Sequence, residues 1–179
     1  MRLGILILAM VWLVASHTNA QSVRSEVIAS NGVTVTVHTD EFAGRYEYTS
    51  PEIEVADGYA FVARIEQGGA AGDVQILGGF VYSGEWRYYQ SAVFRGGDPA
   101  DFTARDRDVG RCSSSRYSRP SCTLTETWGI KLTAEQIQQH AVDGLIPIQL
   151  RAVDSSANVI IQVPVASLEA IREVSSRPH

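Results

Sequence analysis

Lysine, cysteine and histidine are scarce in this chain, and the scarcity of cysteine and histidine argues against two classes of function. Lys131 is the only lysine among 15 basic residues, an arginine excess that we interpret as the codon bias of a GC-rich bacterial genome. Two cysteines without a nearby histidine are too few ligands for a zinc site. No GxSxG motif is present, and only His38, His140 and His179 follow residue 20, so no Ser-His-Asp triad is expected. We therefore predict no catalytic residue, no metal site and no cofactor.

Long apolar runs are also missing, apart from one at the N-terminus. A single charge at Arg2 precedes the apolar residues 3–15, and a small polar stretch follows up to Ala20. This order is typical of a secretory signal peptide. As a helix the run reaches roughly 20 Å, short of the roughly 30 Å hydrocarbon core, so we expect no permanent membrane anchor. Cleavage after Ala20 leaves residues 21–179 as a single domain that is periplasmic or secreted. No cysteine follows the run, which excludes a lipoprotein.

Basic residues are fewer than acidic residues in this chain. It carries 15 basic against 20 acidic residues, and removal of Arg2 with the signal peptide makes the balance more negative. A negative balance argues against nucleic acid and anionic membrane surfaces as partners. We expect the partner to be another envelope protein or a cell-wall component.

The two cysteines, Cys112 and Cys122, are expected to pair with each other. Export carries them into an oxidising compartment, where neighbouring cysteines form disulfides by default. Closing so short a loop constrains the unfolded chain by about 2.5 to 3 kcal/mol.

Short β-strands dominate the hydropathy pattern. Residues 33–38 alternate valine with threonine or histidine, the period of a half-buried strand, and Asn31-Gly32 before them is a strong hairpin signal. Aromatic and β-branched residues bounded by Gly, Pro or Ser predict further strands. They lie at 45–50, 59–67, 73–82, 85–94 and 123–132, with two more around Ser155-Ser156.

Two helices are predicted near the C-terminus. Thr133 and Gln136 match a capping box at the start of a helix over about 134–143, which Gly144 ends. Leu168, Ile171 and Val174 recur at helical spacing in a second helix over 166–174. The pattern indicates a mostly β fold, a β-sandwich of about eight or nine short strands, with a partly open barrel as the alternative.

Arginines concentrate around the cysteines. Residues 105–119 hold five arginines and two aspartates in a chain that is acidic elsewhere, and Arg111, Arg116 and Arg119 have no acidic residue between them. A loop pinned by a disulfide and locally positive can dock an anionic group. The alternative is a solvated loop whose arginines pair with Asp106, Asp108 or Glu126.

Aromatic side chains offer a second candidate site. In a strand over 85–94, Trp86 and Tyr88 share one face. Such a pair can stack on a sugar, although aromatic residues on strands more often fill the core or form cross-strand pairs. Trp128 alternates with Glu126 and Ile130 and is expected to lie in the core.

Aspartates 98, 101, 106 and 108 form the one acidic cluster. Asp106, Asp108 and Gly110 match only the first half of a calcium loop, and the interleaved arginines oppose a cation. Two carboxylates, one of which could be Glu126, could also hydrolyse a glycosidic bond. That reaction requires a particular distance between the two carboxyl groups, which the sequence does not define.

Four segments taken in order carry a resemblance over roughly residues 80–174. They are EWRYYQSAVF, RDVGRC, CTLTETWGIKLT and VIIQVPVASLEAI. This order resembles a pattern in uncharacterised exported proteins of Gram-negative bacteria. The resemblance implies a bacterial, extracytoplasmic protein and brings no activity or site residue with it.

These patterns together predict a non-enzymatic exported binding or structural module of the bacterial envelope. Its candidate ligand-binding residues are Arg111, Arg116, Arg119, Trp86 and Tyr88. A carbohydrate-binding module that uses the strand aromatics and an enzyme of unrecognised type are the alternatives.

Overall fold

A computed structural model of the chain describes residues 22–115 and 118–178, with the side chains of 114, 115 and 118–120 left aside. The predicted signal peptide and the predicted cleavage site after Ala20 therefore lie outside the described residues. The strands are β1 Val23–Ile28, β2 Thr34–Asp40, β3 Arg45–Thr49, β4 Ile53–Val55, β5 Gly58–Gln67, β6 Ala70–Ala71, β7 Gln75–Ser83, β8 Ser91–Phe94, β9 Pro99–Ser115, β10 Ser118–Lys131, β11 Leu145–Arg151 and β12 Val159–Pro164. The helices are α1 Ala134–His140 and α2 Val165–Ser175.

The described strands form one open antiparallel sheet. Its order is β1-β2-β3-β5-β7-β10-β9-β8-β11-β12, and β4 and β6 pair with β5. The mostly β class with two helices is confirmed, whereas the sandwich of eight or nine strands is wrong. The physical reason is β9, which pairs with β10 along its length and with β8 at Pro99 and Ala100, so that it joins the two halves of the sheet edge to edge.

Local turn signals place the strand connections as predicted. The turn at Asn31-Gly32 joins β1 to β2 in an antiparallel hairpin, and Gly32 has φ 83°. A short 3-10 turn, Ser155–Ala157, connects β11 to β12. These positions follow from residues that tolerate turn geometry at low energetic cost.

Helix α1 begins with the predicted capping box. Thr133 Oγ1 accepts a hydrogen bond from the Gln136 N–H (3.1 Å), and Gln136 Oε1 accepts one from the Thr133 N–H (3.0 Å). The helix ends at His140 rather than 143, because Ala141 adopts extended backbone angles (φ −71°, ψ 129°). The chain then turns at Asp143-Gly144, where both residues have positive φ. Neither described helix has the length and apolarity needed to span a bilayer.

Helix α2 packs against one part of the sheet, the strands near its β1 end. Its Leu168, Ile171 and Val174 are buried and it lies against β2, β3 and β5. Because α2 directly follows β12 at one end of the strand order yet packs near the other end, the sheet must curve around it. Each fully buried aliphatic side chain stabilises the fold by about 1.5 to 3 kcal/mol.

The inward face of β7 and β10 provides the aromatic part of the core. Trp128 on β10 is 1% exposed, as predicted, and packs at an oblique angle near Phe80 on β7. Gly78 makes room for it, since a Cβ there would lie 2.4 Å from Trp128 Cζ2. Glu126, two residues before Trp128, therefore points to the same buried face.

Candidate functional site

The disulfide lies where the β9–β10 ribbon leaves the rest of the sheet. Cys112 and Cys122 are direct cross-strand partners and are bonded to each other, which confirms the predicted pairing. The next residue, Thr123, pairs with Ser83 at the end of β7. A disulfide at this position is compatible with an oxidising compartment.

The predicted arginine site is only partly within the described residues. Arg116 lies outside them, and Arg119 belongs to β10 with a side chain that is not described. Arg111 is exposed on β9, and it makes no hydrogen bond or ion pair with any described residue. The described residues therefore contain no site formed by the three arginines.

The predicted strand over 85–94 is shorter than expected, because only Ser91–Phe94 forms β8. Residues 86–90 instead form an irregular crossover from β7 to β8. Trp86 is half-buried and Tyr88 is 45% exposed. Their ring centroids lie 6.4 Å apart and the rings are tilted by 41°, so the two do not make a flat platform.

A buried carboxylate determines the shape of this crossover. Glu126 is 3% exposed, and its Oε1 accepts backbone N–H bonds from Arg87 (3.1 Å) and Tyr88 (3.0 Å). Its Oε2 accepts the N–H of Tyr89 (3.2 Å). Successive backbone N–H groups converge on one anion when right-handed and left-handed backbone conformations alternate along the chain. Tyr88 is in the left-handed conformation, with φ 53°. The crossover is thus wrapped around the Glu126 side chain.

Two further donors complete the environment of this carboxylate. The Tyr82 hydroxyl donates to Glu126 Oε1, and Arg107 Nε donates to Oε2 at 3.0 Å. Burial alone would raise the pKa of Glu126, but hydrogen bonds from Tyr82, Arg107 and the backbone together lower that pKa below its ordinary value. Burial and the bond to Glu126 raise the pKa of Tyr82 to about 12. Glu126 is therefore held as a carboxylate anion and has no proton to donate at neutral pH.

Arg107 connects this buried anion to the protein surface. Its guanidinium lies over the Tyr88 ring, 5.0 Å from the centroid, and its side chain is 39% exposed. Arg107 bonds Glu126 through Nε, and its Nη atoms make no hydrogen bond to any described residue. We call Trp86, Tyr88 and Arg107 the aromatic–arginine surface.

A neighbouring guanidinium supports the same segment from the other side. Arg87 lies 4.2 Å from the centroid of the Tyr82 ring, and its Nη2 donates to Asp57 Oδ2 at 3.1 Å. The outer Nη2 atom of Arg87 is therefore already bonded, whereas Arg107 bonds Glu126 through Nε and keeps its Nη atoms available to a ligand.

A cavity of about 240 Å³, lined by residues of β9 and β10, adjoins the aromatic–arginine surface. Glu126, Arg107 and Tyr89 line it together with Trp128. The Trp128 indole N–H is buried and finds no acceptor in the described part of the chain. The cavity wall therefore combines aromatic surface with charged groups.

The acidic cluster does not form a described cation site. Asp106 Oδ1 accepts the backbone N–H of Arg107, and Asp98 lies 3.9 Å from His140 Nε2. Within residues 22–115 and 118–178, no three His, Cys, Asp or Glu side chains are arranged to hold a metal ion. Glu126 itself is occupied by five donors, which makes it a structural anion.

The sequence pattern points to Trp86 and Tyr88 but does not identify Glu126 as the residue that holds the segment containing Tyr88. The available signal was the alternation of Glu126 with Trp128 and Ile130, which places a carboxylate on a core-facing side of a strand. A buried carboxylate requires several donors, and these donors come from a segment far away in sequence. Comparison with protein-family models, curated proteins and solved structures found no match to this chain.

Proposed function

We propose that this protein is a non-enzymatic binding module of the bacterial envelope, exported by a signal peptide over residues 1–20. The aromatic–arginine surface is its contact site. The observation that supports this is the conformation of Tyr88, a large residue at positive φ whose ring is nevertheless exposed. A left-handed backbone costs a residue with a side chain about 1 to 2 kcal/mol, and such strain concentrates at functional positions.

The chemistry of the surface favours a ligand that combines a flat apolar face with a carboxylate. The Tyr88 ring offers a stacking partner, and the Arg107 Nη groups offer paired donors that suit a carboxylate. Among cell-wall components, an acidic saccharide has both features. A neutral sugar would use only the ring, and the tilt of Trp86 relative to Tyr88 removes the second coplanar ring that a sugar platform uses.

Thermal unfolding of the exported protein with and without saccharide tests this assignment. The probe is a carboxylate-bearing cell-wall disaccharide, compared with the same disaccharide whose carboxyl group is reduced to an alcohol. A ligand at a hundredfold its Kd adds about 2.7 kcal/mol, which raises the midpoint by roughly 5 to 10 °C for a chain of this size. We expect this rise with the acid and a much smaller one with the alcohol.

Two variants locate the binding site. Arg107→Ala should abolish the shift, while Arg111→Ala, which removes an exposed arginine on the same strand, should leave it unchanged. Loss of the shift in Arg111→Ala alone would assign binding to the disulfide loop and contradict the proposed surface. Equal shifts with the acid and the alcohol would contradict the role of the carboxylate.

A further inference from the structure

Strand β1 has an edge that no described strand covers. It stands at one end of the strand order, with β12 at the other, and it pairs only with β2, in an unbroken register from Val23 to Ile28. Residues 22–26 are exposed, Val27 is half-buried and Ile28 is 68% exposed. A free strand edge presents unpaired backbone N–H and C=O groups and can accept another strand.

The uncovered edge of β9 is less suited to this role. Its pairing with β10 is interrupted by register shifts near Trp128 and near Leu124. Such irregularities bend and twist a strand, which hinders the addition of a further strand to its edge. Strand β1 has no such interruption, so its edge is regular over its whole length.

Symmetry limits how two copies of β1 can pair. Two antiparallel strands in one sheet are related by a two-fold axis perpendicular to the sheet, and residues opposite each other must project to the same face. The axis therefore lies midway between one residue and its own copy, and we call that residue the one on the axis. Arg24, Ser25 and Glu26 are the central choices.

The charges on β1 select one of these three registers. With Ser25 on the axis, Arg24 lies opposite Glu26, and the symmetry repeats this opposite-charge pair. With Arg24 or Glu26 on the axis, that residue lies opposite its own copy and the like charges repel. The Ser25 register also sets Val23 opposite Val27, so apolar side chains meet on the other face.

We propose that two copies of this chain pair antiparallel through their β1 edges with Ser25 on the two-fold axis. The side chains involved are accessible, because Arg24 and Glu26 are 64% and 63% exposed, and their ion pair within the described residues is with each other, at 3.8 Å. The Ile28 carbonyl already accepts a hydrogen bond from Arg177 Nη2 (3.4 Å), so the new pairing covers Val23 to Val27.

Pairing in this register satisfies groups that a single copy leaves to solvent. Val23 is 57% exposed in one copy, and Val27 of the second copy would cover it. The backbone groups along the edge would bond to a strand instead of water, and the sheet would continue through both copies. This pairing depends only on β1 and stands whether or not the aromatic–arginine surface binds a saccharide.

Charge reversal on the edge tests the pairing by sedimentation of the exported protein at concentrations up to about 100 μM. The unaltered protein should sediment as a dimer. Arg24→Glu alone sets acidic side chains opposite each other, and Glu26→Arg alone sets arginines opposite each other, so each variant should dimerise at least about tenfold more weakly. A mixture of the two variants, or the double variant in one chain, restores both opposite-charge pairs and should restore the dimer.

Matched controls separate pairing from folding. Circular dichroism melting of each variant must match the unaltered protein to within a few degrees, and Arg111→Glu on the exposed part of β9 should leave the dimer unchanged. A monomer for the unaltered protein at the highest concentration would overturn the proposal. A folded single reversal that still dimerises, or a folded double variant that does not, would also overturn it.

Discussion

Replacing Glu126 with glutamine tests whether this one carboxylate holds the 86–90 crossover in place. The substitution keeps the size and shape of the side chain but changes one acceptor oxygen into a donating amide. In the unaltered protein, Oε2 of Glu126 accepts hydrogen bonds from the Tyr89 N–H and from Arg107 Nε, while the remaining donors bond to Oε1. If the amide nitrogen takes the Oε2 position, it faces two donors and both bonds are lost.

The expected loss follows from these two bonds. A hydrogen bond to a charged group contributes about 1.5 to 3 kcal/mol. The Tyr89 N–H is buried and loses its bond in full, while water can reach the half-exposed Arg107 and reduce its loss. We therefore expect a decrease of about 2 to 4 kcal/mol in the free energy of unfolding, from a total of roughly 5 to 15 kcal/mol for a domain.

Urea unfolding at neutral pH measures this difference directly. Glu169→Gln on the exposed side of α2 is the matched control, and we expect it to change the free energy of unfolding by less than about 0.5 kcal/mol. A Glu126→Gln variant as stable as this control would refute the reasoning, because the crossover would then keep its shape without the carboxylate.

Four further predictions concern strain, pH and the disulfide. Tyr88→Asn, which suits positive φ, should unfold at the same temperature or slightly higher while it loses saccharide binding; a clear loss of stability would count against backbone strain at this site. The Ser30 side chain lowers the pKa of Glu173 from 4.5 to about 2, with help from Arg177. Its contribution to stability is therefore present above pH 4.5 and lost as pH falls toward 2, and acid unfolding of Glu173→Gln should lack this component. Tyr82, with its pKa raised to about 12, should ionise after an exposed tyrosine in an ultraviolet titration, and ionisation near pH 10 would contradict its bond to Glu126. Reduction of the Cys112–Cys122 disulfide should lower stability by about 2.5 to 3 kcal/mol, measured as a shift in the urea midpoint, and an unchanged midpoint would show that the ribbon needs no covalent link.

Local patterns predicted the elements whose stability is local. The capping box at Thr133 and the turn at Asn31-Gly32 depend on residues within four positions of each other, and both are present. The second helix was also predicted almost to its ends. These elements can be predicted from the sequence because the interacting groups are neighbours in sequence.

The sandwich prediction was wrong because alternation shows only that one face of a strand is buried. Whether a second sheet or a helix covers that face depends on contacts between distant parts of the chain. Here α2 packs on β2, β3 and β5, and the long strand β9 continues the sheet into its second half.

The crossover illustrates the same limit at the candidate site. Residues 85–94 have the aromatic composition of a strand, yet three of their N–H groups bond to Glu126, more than 35 positions further along the chain. Long-range hydrogen bonding therefore overrode local β-propensity. The pattern placed Trp86 and Tyr88 on one face of a strand, but these residues lie in the crossover, and their tilt and the role of Arg107 depend on that distant carboxylate.

Titration of the carboxylate-bearing cell-wall disaccharide into isotope-labelled protein, followed by NMR, tests the proposed binding surface most directly. We predict saturable shifts of the backbone amides of residues 86–89 and of the Arg107 Nε–H, with no comparable shifts for the disaccharide alcohol. Shifts confined to other residues, or none at all, would contradict binding at the aromatic–arginine surface.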